Sequence, residues 1–252
     1  MTEIRSLQNP RLKALRKLHT KRGRAQSGHF LAEGEDLVAA AQAAGRPLVE
    51  GYRASGTEIG GSGFLDVEPA ALADVSSLGS GTRVIGVYEQ RWGRPAGPLC
   101  VYLHAVGDPG NVGAVIRSAR AFGASCVALG PGCADPHSPK AVRASMGAIF
   151  AVGLARAGSP GELPGRRIAL SAGAPEALRG PLAAAGGEVT LLVGAEREGL
   201  PADVVAACES HARIPIAGDS LNAAMAATVA LYEMTRDEGT PVANRSSRVP
   251  AS

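Results

Sequence analysis

From about residue 99 onward, apolar segments alternate with amphipathic segments along the chain. The apolar segments have the length and character of buried strands: LCVYLHAV, SCVALG, RRIALSAG, EVTLLVGAE and ARIPIA. The other segments place apolar residues at helical spacing: NVGAVIRSARAFG, SPKAVRASMGAIF, PADVVAACES and SLNAAMAATVALYEMTRDE. Strands that are apolar throughout are buried on both faces, and strands that alternate with helices form parallel sheets covered by those helices. The pattern therefore predicts an α/β domain built on a parallel sheet.

The chain before residue 91 predicts a second, smaller α/β domain. NPRLKALRKL is typical of a helix that Asn9 caps and Pro10 begins, and GEDLVAAAQAAG predicts a helix that ends at Gly45. RVIGVYEQ predicts a strand, and RWGRPAGP has the Gly, Pro and Arg content of a linker. The predicted organisation is an N-terminal domain over residues 1–90, a linker over 91–98, a parallel-sheet domain over 99–238 and a disordered tail over 239–252.

Composition favours a globular protein with an aliphatic core, because 45% of the residues are hydrophobic and only 4% are aromatic. Apolar runs are shorter than the roughly 18–20 residues of a membrane span. The basic N-terminus lacks the apolar stretch of a signal peptide, and an Arg-rich transit peptide is the alternative interpretation. The cysteines form no CxxC pair and no zinc pattern: Cys100, Cys126, Cys133 and Cys208. We expect free thiols, no metal, no membrane association and a cytoplasmic location.

Positive charge is concentrated at the N-terminus. Residues 1–24 hold eight basic residues against Glu3 alone, whereas the remaining residues carry 18 basic and 22 acidic groups. A basic arm on a mildly acidic body predicts a polyanionic partner, although a solvated helix face is the alternative. Leucines also recur there at helical spacing, so we expect one helix to pack by its apolar stripe and to present basic residues to phosphates. The candidate phosphate contacts are Arg5, Arg11, Lys13, Arg16 and Lys17.

Three segments at predicted strand ends carry unusual polar residues. They are DPGN (108–111) with Arg117 downstream, LLVGAEREGLP (191–201) and IPIAGDSLNAAMAA (214–227). In an open α/β sheet, ligands bind outside the carboxyl ends of the strands. None of the segments has GxGxxG spacing or the lysine of a P-loop. The sequence therefore indicates a binding site for a ligand that is not recognised through its phosphates.

Each segment also has a purely structural interpretation. Asn111 could cap a helix, and Glu196 with Glu198 could favour the N-terminus of the next helix. Asp219–Ser220 could cap the last helix, with Asn222 as a solvent-facing polar residue inside it. Arg117 fits this interpretation poorly, because an arginine early in a helix opposes the macrodipole. The occurrence of all three segments at successive strand ends favours a shared function.

In this order, the three segments resemble the motifs of the SpoU/TrmH family of S-adenosylmethionine-dependent RNA ribose 2′-O-methyltransferases, within the SPOUT superfamily. DPGNVGAVIRSARAFGA is similar to the first motif, VGAEREGLP to the second and IPIAGDSLNAAMAATVALYE to the third, and ADPHSPKAVRASMGAIF also matches. SLQNPRLKALRKL with GHFLAEGEDLV resembles the family's small ribosomal-protein-like substrate-binding domain. Ala223 departs from the family, where valine commonly follows Ser-Leu-Asn, and we expect this change to be tolerated.

The resemblance implies a parallel-sheet SPOUT domain with a deep trefoil knot and a homodimer with the site near its interface. It implies that S-adenosylmethionine lies bent in the knot, with its adenine held largely by backbone groups. This cofactor has no phosphate for a helix N-terminus to bind, which agrees with the missing GxGxxG spacing. The implied cofactor-binding residues are Val193, Gly194, Ala195, Glu196, Gly199, Ile214, Ile216, Ser220, Leu221 and Asn222.

The resemblance also implies that Arg117 contacts the reacting ribose or its phosphate. A guanidinium stays protonated in proteins, so we expect Arg117 to clamp the phosphate and stabilise a developing alkoxide, with that phosphate or water taking the proton. Asn111 would orient the hydroxyl or Arg117. Glu196 would orient Arg117 or Asn111 rather than act as a base. Ser220 and Asn222 would complete the catalytic set.

The 2′-hydroxyl nucleophile exists in RNA and not in DNA, so the implied substrate is RNA. Lys140 and Arg143 are further candidate phosphate contacts. Ribosomal RNA is favoured, because a ribosomal-protein-like N-terminal domain is commoner with that substrate; housekeeping and antibiotic-resistance roles both stay open. Transfer RNA is the alternative substrate. A noncatalytic RNA-binding assembly factor would not need the intact polar residues of the motifs, and GGSGF and LGPG are too incomplete to support a nucleotide-dependent oxidoreductase.

Overall fold

The structure, a computed structural model, describes residues 3–59, 63–78, 81–179, 187–218 and 221–236. Within these residues the strands form a four-stranded sheet in the N-terminal part and a seven-stranded sheet in the rest. The predicted disordered tail, 239–252, lies outside the described residues.

The first sheet has helices on its flanks and confirms the small α/β architecture predicted for the N-terminal part. Its elements are α1 (Pro10–Leu18), α2 (Lys21–Ser27), β1 (His29–Glu33), α3 (Glu35–Ala43), β2 (Glu50–Ala54), β3 (Phe64–Val67), α4 (Pro69–Val75) and β4 (Val84–Glu89). The strand order is β1-β4-β2-β3, in which β4 is antiparallel to β1 and β2, and β2 is parallel to β3.

Helix α1 begins where the sequence predicts. The Asn9 side chain accepts a hydrogen bond from the Arg11 amide at 2.9 Å, and Pro10 occupies the first turn. The leucines at positions 12, 15 and 18 are buried in the core of the first sheet. The predicted apolar stripe therefore faces inward and leaves the other side of α1 to its basic residues.

Several elements of the first sheet were not predicted: α2, β1, β2, β3 and α4. Strands such as EGYRA and FLDV are too short and mixed to give an apolar run. Helix α2, KRGRAQS, has no apolar periodicity. It is delimited by its caps instead, because the Thr20 hydroxyl accepts from the Gly23 amide at 3.0 Å and Gly28 ends the helix at φ 71°.

The second sheet confirms the predicted parallel architecture. Its elements are β5 (Leu99–Leu103), α5 (Pro109–Ala121), β6 (Cys126–Leu129), α6 (Pro139–Ala144), a 3₁₀ turn (Ala148–Phe150), β7 (Gly153–Arg156), a second 3₁₀ turn (Pro160–Glu162), β8 (Arg166–Leu170), β9 (Glu176–Ala177), β10 (Val189–Val193), α7 (Ala202–Ala206), β11 (Ser210–Arg213) and α8 (Ala223–Thr235). The strand order is β7-β6-β5-β10-β8-β11-β9, and its strand pairs are parallel.

The order of this sheet is not the order of the chain. From β5 the chain builds outward through β6 to the edge strand β7, and then crosses to the other side for β8 and β9. It returns to place β10 between β5 and β8, and β11 between β8 and β9. The trefoil knot that the resemblance implies stays a prediction.

Two predicted elements differ in extent. SPKAVRASMGAIF was expected to be one helix, but α6 stops and the chain turns through Met146 at φ 48° and Gly147 at φ 83° before the 3₁₀ turn. ARIPIA was expected to be a strand, but β11 ends at Arg213. Pro215 follows two residues later, and a proline has no N–H to offer a sheet.

One apolar core runs across both sheets. Phe30 and Tyr88 from the first sheet belong to the same cluster as Val142, Ile149 and Phe150 from the second. The ring centroids of Phe30 and Phe150 lie 5.8 Å apart, and those of Tyr88 and Phe150 lie 5.0 Å apart. The predicted boundaries at 91–98 stay a prediction about organisation, and the apolar packing continues across them.

Polar contacts reinforce this junction. Arg24 is buried, and its guanidinium forms a 2.7 Å ion pair with Asp135 from the loop after β6. The linker is fixed to the edge of the second sheet, since the Gly93 amide donates to the Leu154 carbonyl at 2.7 Å. The two sheets are therefore packed against each other rather than joined by a free tether.

Helices of the described ranges are too short or too polar to cross a membrane. The four cysteines are free thiols, two of them buried and two half-buried, as expected from their spacing.

The packing around His137 predicts a pH-dependent stability. His137 is buried between Phe30 and Trp92, and its Nδ1 atom has no hydrogen-bond partner among the described residues. Burial, the largest influence, lowers the pKa of His137 to about 4, from 6.5. Because the unfolded chain takes up this proton first, stability falls as the pH drops below about 6.5. We expect a loss of about 2 kcal/mol at pH 5 and about 3 kcal/mol below pH 4 from this residue.

The variant His137→Phe isolates this contribution, because it keeps an aromatic ring and removes the titrating group. Urea unfolding from pH 4 to 7.5 should show a shallower decline in the variant than in the wild-type protein. Parallel profiles for the two proteins would contradict the assignment.

Candidate active site

A cleft of about 330 Å³ lies at the carboxyl ends of β8, β10 and β11, at the small end of the range for small-molecule sites. Its walls come from the end of β8 (170–173), the loop after β10 (193–199), the segment after β11, and the start of α8. Eight of the ten predicted cofactor-binding residues line it: Val193, Gly194, Ala195, Glu196, Gly199, Ile214, Ile216 and Leu221. Ser220 lies outside the described residues, and Asn222 lies beside the cleft rather than on its lining.

The loop after β10 is folded back on itself. Ala195 and Gly199 form an antiparallel bridge, in which the Gly199 amide donates to the Ala195 carbonyl at 3.0 Å. Gly199 has φ 67°, and a Cβ atom on Gly194 would lie 2.2 Å from the Gly199 backbone. Both positions therefore require glycine, and the loop presents backbone groups and small side chains to the cleft.

Three polar side chains from the three motifs meet beside this loop. Asn111 donates from Nδ2 to Glu196 Oε1, and Asn222 donates from Nδ2 to Asn111 Oδ1 at 3.0 Å. Between them, these bonds fix both ends of the Asn111 carboxamide. Glu196 therefore orients Asn111, which was one of its two expected partners.

The start of α5 is capped by Asp108 and not by Asn111. Asp108 Oδ1 accepts from the Asn111 amide at 3.0 Å, so the structural interpretation of Asn111 as N-cap was wrong. Lys140 Nζ donates to Asp108 Oδ2 at 2.5 Å. The Lys140 ammonium, and after it the Asn111 amide, hold the pKa of Asp108 below its ordinary value. The cap leaves the Asn111 side chain free for Glu196 and Asn222.

Asn222 caps helix α8. Its Oδ1 atom accepts from the amides of Ala224 at 2.8 Å and Met225 at 3.3 Å. The structural interpretation that placed Asn222 inside the helix was therefore wrong, because the helix begins one residue later. The Asn222 carboxamide therefore caps α8 through its oxygen and donates a hydrogen bond to Asn111 through its nitrogen.

Arg117 lies on the exposed side of α5 as the ninth of its 13 residues, so the expectation that it lies early in the helix and opposes the macrodipole was wrong. Its side chain makes no hydrogen bond or ion pair with the described part of the chain. The structure does not bring Arg117 into contact with Asn111 or Glu196, so the predicted orientation of Arg117 by either residue is not observed. Arg117 therefore presents a guanidinium to the surface with all five N–H donors unused among these residues.

The predicted phosphate contacts divide into two groups. Lys13 and Lys17 are exposed and have no ion-pair partner in the described ranges. The others already contact protein groups: Arg5 with Glu3, Arg11 with Glu50, Arg16 with Asp74, Lys140 with Asp108 and Arg143 with the Ser77 hydroxyl. A binding role for the second group would require exchange of these partners.

Two features of the site were not predicted from the sequence: the cleft wall at residues 171–173 and the cap at Asp108. The wall segment consists of small residues at the carboxyl end of a predicted strand, and that position was its only signal. Ala223, the departure from the family pattern, is buried and lines the cleft, so the smaller side chain leaves room there.

The double role of Asn222 predicts different outcomes for two substitutions. Asn222→Ala removes the cap and should lower the free energy of unfolding by about 1 kcal/mol, or the melting temperature by about 2–4 °C. Asn222→Asp retains an N-cap oxygen and should melt near the wild-type temperature, although it loses the donor to Asn111. Thermal melts check both, and an alanine variant with wild-type stability would contradict the capping role.

Comparisons with known proteins agree with this geometry. Residues 98–232 match the family described as SpoU rRNA Methylase, and residues 9–87 match the MRM3-like substrate binding domain. The chain is 30% identical over 256 residues to the 23S rRNA (guanosine(2553)-2'-O)-methyltransferase RlmP of Bacillus subtilis, covering 93% of this chain and 99% of that protein.

Solved structures give the same result. An AdoMet-bound rRNA methyltransferase from Sinorhizobium meliloti is 33% identical, with a TM-score of 0.79 over 92% of this chain and 96% of that chain. The SpoU methyltransferase AviRb from Streptomyces viridochromogenes, in complex with AdoMet, is 26% identical, with a TM-score of 0.79 over 90% of this chain and 97% of that chain. The chain therefore belongs to the SpoU rRNA methylase family.

Proposed function

We propose that this protein transfers a methyl group from S-adenosylmethionine to the 2′-hydroxyl of a ribose in ribosomal RNA. The observation that carries the proposal is that the second and third motifs line one cleft, while Asn111 of the first motif, held by Asn222, donates to Glu196 on the cleft wall. Full-length similarity to a 23S rRNA 2'-O-methyltransferase supports the reaction and the class of RNA.

The cleft suits the cofactor. Its walls offer backbone groups at Gly194 and Gly199 and aliphatic side chains at Ile214, Ile216 and Leu221, which fit an adenine held by shape and backbone hydrogen bonds. A Cβ atom on Gly194 would meet the Gly199 backbone, so the cradle depends on the absence of a side chain. When bound, S-adenosylmethionine supplies an electrophilic methyl group on a sulfonium.

The protein's own side chains position the ribose and stabilise its oxygen. The Asn111 carboxamide is fixed at both ends and retains a second Nδ2 hydrogen for the ribose hydroxyl or its phosphate. Arg117 remains protonated and supplies the bidentate grip on phosphate that an ammonium lacks. Such preorganised donors lower the barrier as negative charge develops on the attacking oxygen, and a substrate phosphate or water accepts its proton.

The active form is a homodimer, and the exposed face of α8 supports this assignment. Met225, Val229 and Tyr232 follow one another at helical spacing and are 59%, 41% and 55% exposed. Helix α8 is bound to α5 by a 2.6 Å hydrogen bond between the Ser118 and Thr228 hydroxyls. An apolar stripe on α8 would thus bring a second subunit beside the helix that carries Arg117.

The protein acts in the cytoplasm, where ribosomes are built, and requires no metal.

Two measurements test the proposal together. Isothermal titration calorimetry should detect S-adenosylmethionine binding to the full chain. Mapping of 2′-O-methylation across total RNA, with and without the gene, should reveal one ribosomal position that depends on it. Binding of NAD without binding of S-adenosylmethionine, or a dependent position in transfer RNA alone, would contradict the proposal.

Arg117 provides the sharpest test of the mechanism. Arg117→Ala and Arg117→Lys should both lose methyl transfer by at least about 100-fold, the scale of a lost transition-state contact. Lysine should not restore activity, because it keeps the charge and loses the planar fork. Single-turnover methyl transfer to the mapped RNA measures this loss.

Arg120→Ala is the matched control, since Arg120 is also an exposed arginine of α5. It should transfer methyl groups at close to the wild-type rate. Calorimetry and sedimentation should show unchanged cofactor binding and dimer mass in all three variants. Near-normal turnover in Arg117→Ala would remove Arg117 from the site, and loss of the dimer would assign it to the interface instead.

A further inference from the structure

A second pocket, of about 260 Å³, lies between the two sheets and is separate from the cleft. We call it the seam pocket. It lies between α2, the linker and the carboxyl ends of β6 and β7, and the residues used below are Lys21, Arg24, Trp92, Asp135 and Arg156.

Trp92 is the fixed wall of the seam pocket. The Arg156 guanidinium lies 4.2 Å from the centre of the Trp92 ring, and the His137 ring meets the tryptophan edge-on at 5.1 Å. The neighbouring Gly93 is hydrogen-bonded to β7. This cation–π contact holds the guanidinium against the face of the ring, and a guanidinium can bind a phosphate with two parallel hydrogen bonds.

Positive charge at the seam pocket exceeds the negative charge that faces it. Asp135 is already paired with the buried Arg24 at 2.7 Å. Lys21 and Arg156 line the seam pocket, and Arg91 lines an adjoining pocket that shares Trp92 with it. All three residues are exposed and have no carboxylate partner in the described part of the chain. A strand of phosphates would supply the missing counter-charge.

Two titrating groups of the adjoining pocket, Arg46 and His137, lie close to these cations. Burial is the main cause of the lowered pKa of Arg46, and the nearby charge of Arg91 lowers it further, against the opposing charge of Glu89. Burial is likewise the main cause at His137. Asp135, the next influence, raises the pKa of His137, and the arginines at positions 24, 156 and 46 each lower it. Cations from both sheets therefore act on the same small region.

The seam pocket and the cleft both lie at the carboxyl ends of the strands of the second sheet. Leu129 and Arg156 end β6 and β7, and the carboxyl ends of parallel strands meet at one edge of a sheet. From β10 to β7 there are three strand spacings, or about 14 Å at roughly 4.8 Å each. That span corresponds to about four nucleotides at the roughly 3.4 Å rise of a helical strand.

We propose that the seam pocket, together with Arg91 of the adjoining pocket, binds backbone phosphates of the RNA strand a few nucleotides from the methylated ribose, through Lys21, Arg91 and Arg156. The inference rests on the proposed function for the identity of the ligand. It assigns to the junction of the two sheets a contact that neither sheet could make alone, since Lys21 belongs to the first, Arg156 to the second and Arg91 to the linker.

The chain carries its own reporter for this site, because Trp92 is its single tryptophan. Titration of the full-length protein with a 12-nucleotide oligouridylate should change the tryptophan emission. The midpoint should match the affinity from fluorescence anisotropy of the same labelled 12-mer. The triple variant Lys21→Gln/Arg91→Gln/Arg156→Gln should lose the emission change.

The salt dependence of RNA binding gives the expected loss of affinity in the triple variant. Three phosphate contacts at about 0.7 each should reduce the slope of log affinity against log salt by about 2 in the triple variant. Binding should therefore be weaker by about 100-fold at 0.1 M salt and should converge with wild type near 1 M. The matched control is Arg166→Gln, an exposed arginine at the opposite end of β8, and it should bind as wild type does.

Each contrary result has a distinct meaning. RNA binding with constant tryptophan emission and a wild-type slope in the triple variant would overturn the seam pocket and leave the methyltransferase function intact. An emission change with uridine monophosphate but not with the 12-mer would indicate a small-nucleotide site and would also overturn it. Failure of the proposed function would instead appear as loss of S-adenosylmethionine binding, which the triple variant should retain.

Discussion

The site depends on the position of strand β10. This strand pairs in parallel with β5 on one side and with β8 on the other, with Val193 opposite Leu103. That register places the loop after β10 beside the start of α5, so that residues 85 positions apart in sequence share a hydrogen bond. A shift of one residue in a buried parallel strand would move every side chain to the other face and separate these groups. The geometry of the candidate site is therefore a consequence of sheet pairing.

Much of this arrangement could be predicted from the sequence, because strong local signals coincide with the elements of the second sheet. Uniformly apolar strands identify a parallel sheet, and Asn9 with Pro10 marks the start of α1. The position of the cleft could also be predicted, because the motif residues follow the carboxyl ends of predicted strands. The short strands β1 to β3, and α2, could not be predicted, because their stability comes from tertiary packing and caps rather than from periodicity.

Asparagine and aspartate show where sequence reasoning stops. Asn111, Asn222 and Asp108 all occur near helix starts, and each residue type is a good N-cap. Which of them caps and which binds another side chain depends on neighbours that are distant in sequence, such as Lys140 and Glu196. The same limit applies to charge, because a count of basic residues cannot show that Arg16 has Asp74 as its partner while Lys17 has none among the described residues.

The aromatic contact between Phe30 and Phe150 also limits how such a protein can be divided. A chain built from the second sheet alone would expose the surface that now packs on the first sheet, including Val142, Ile149 and Phe150. An exposed apolar surface of this kind favours aggregation. The shared core also fixes the position of α1 relative to the cleft. A change in the packing between the sheets would therefore alter the distance between α1 and the cleft without changing a residue at either place.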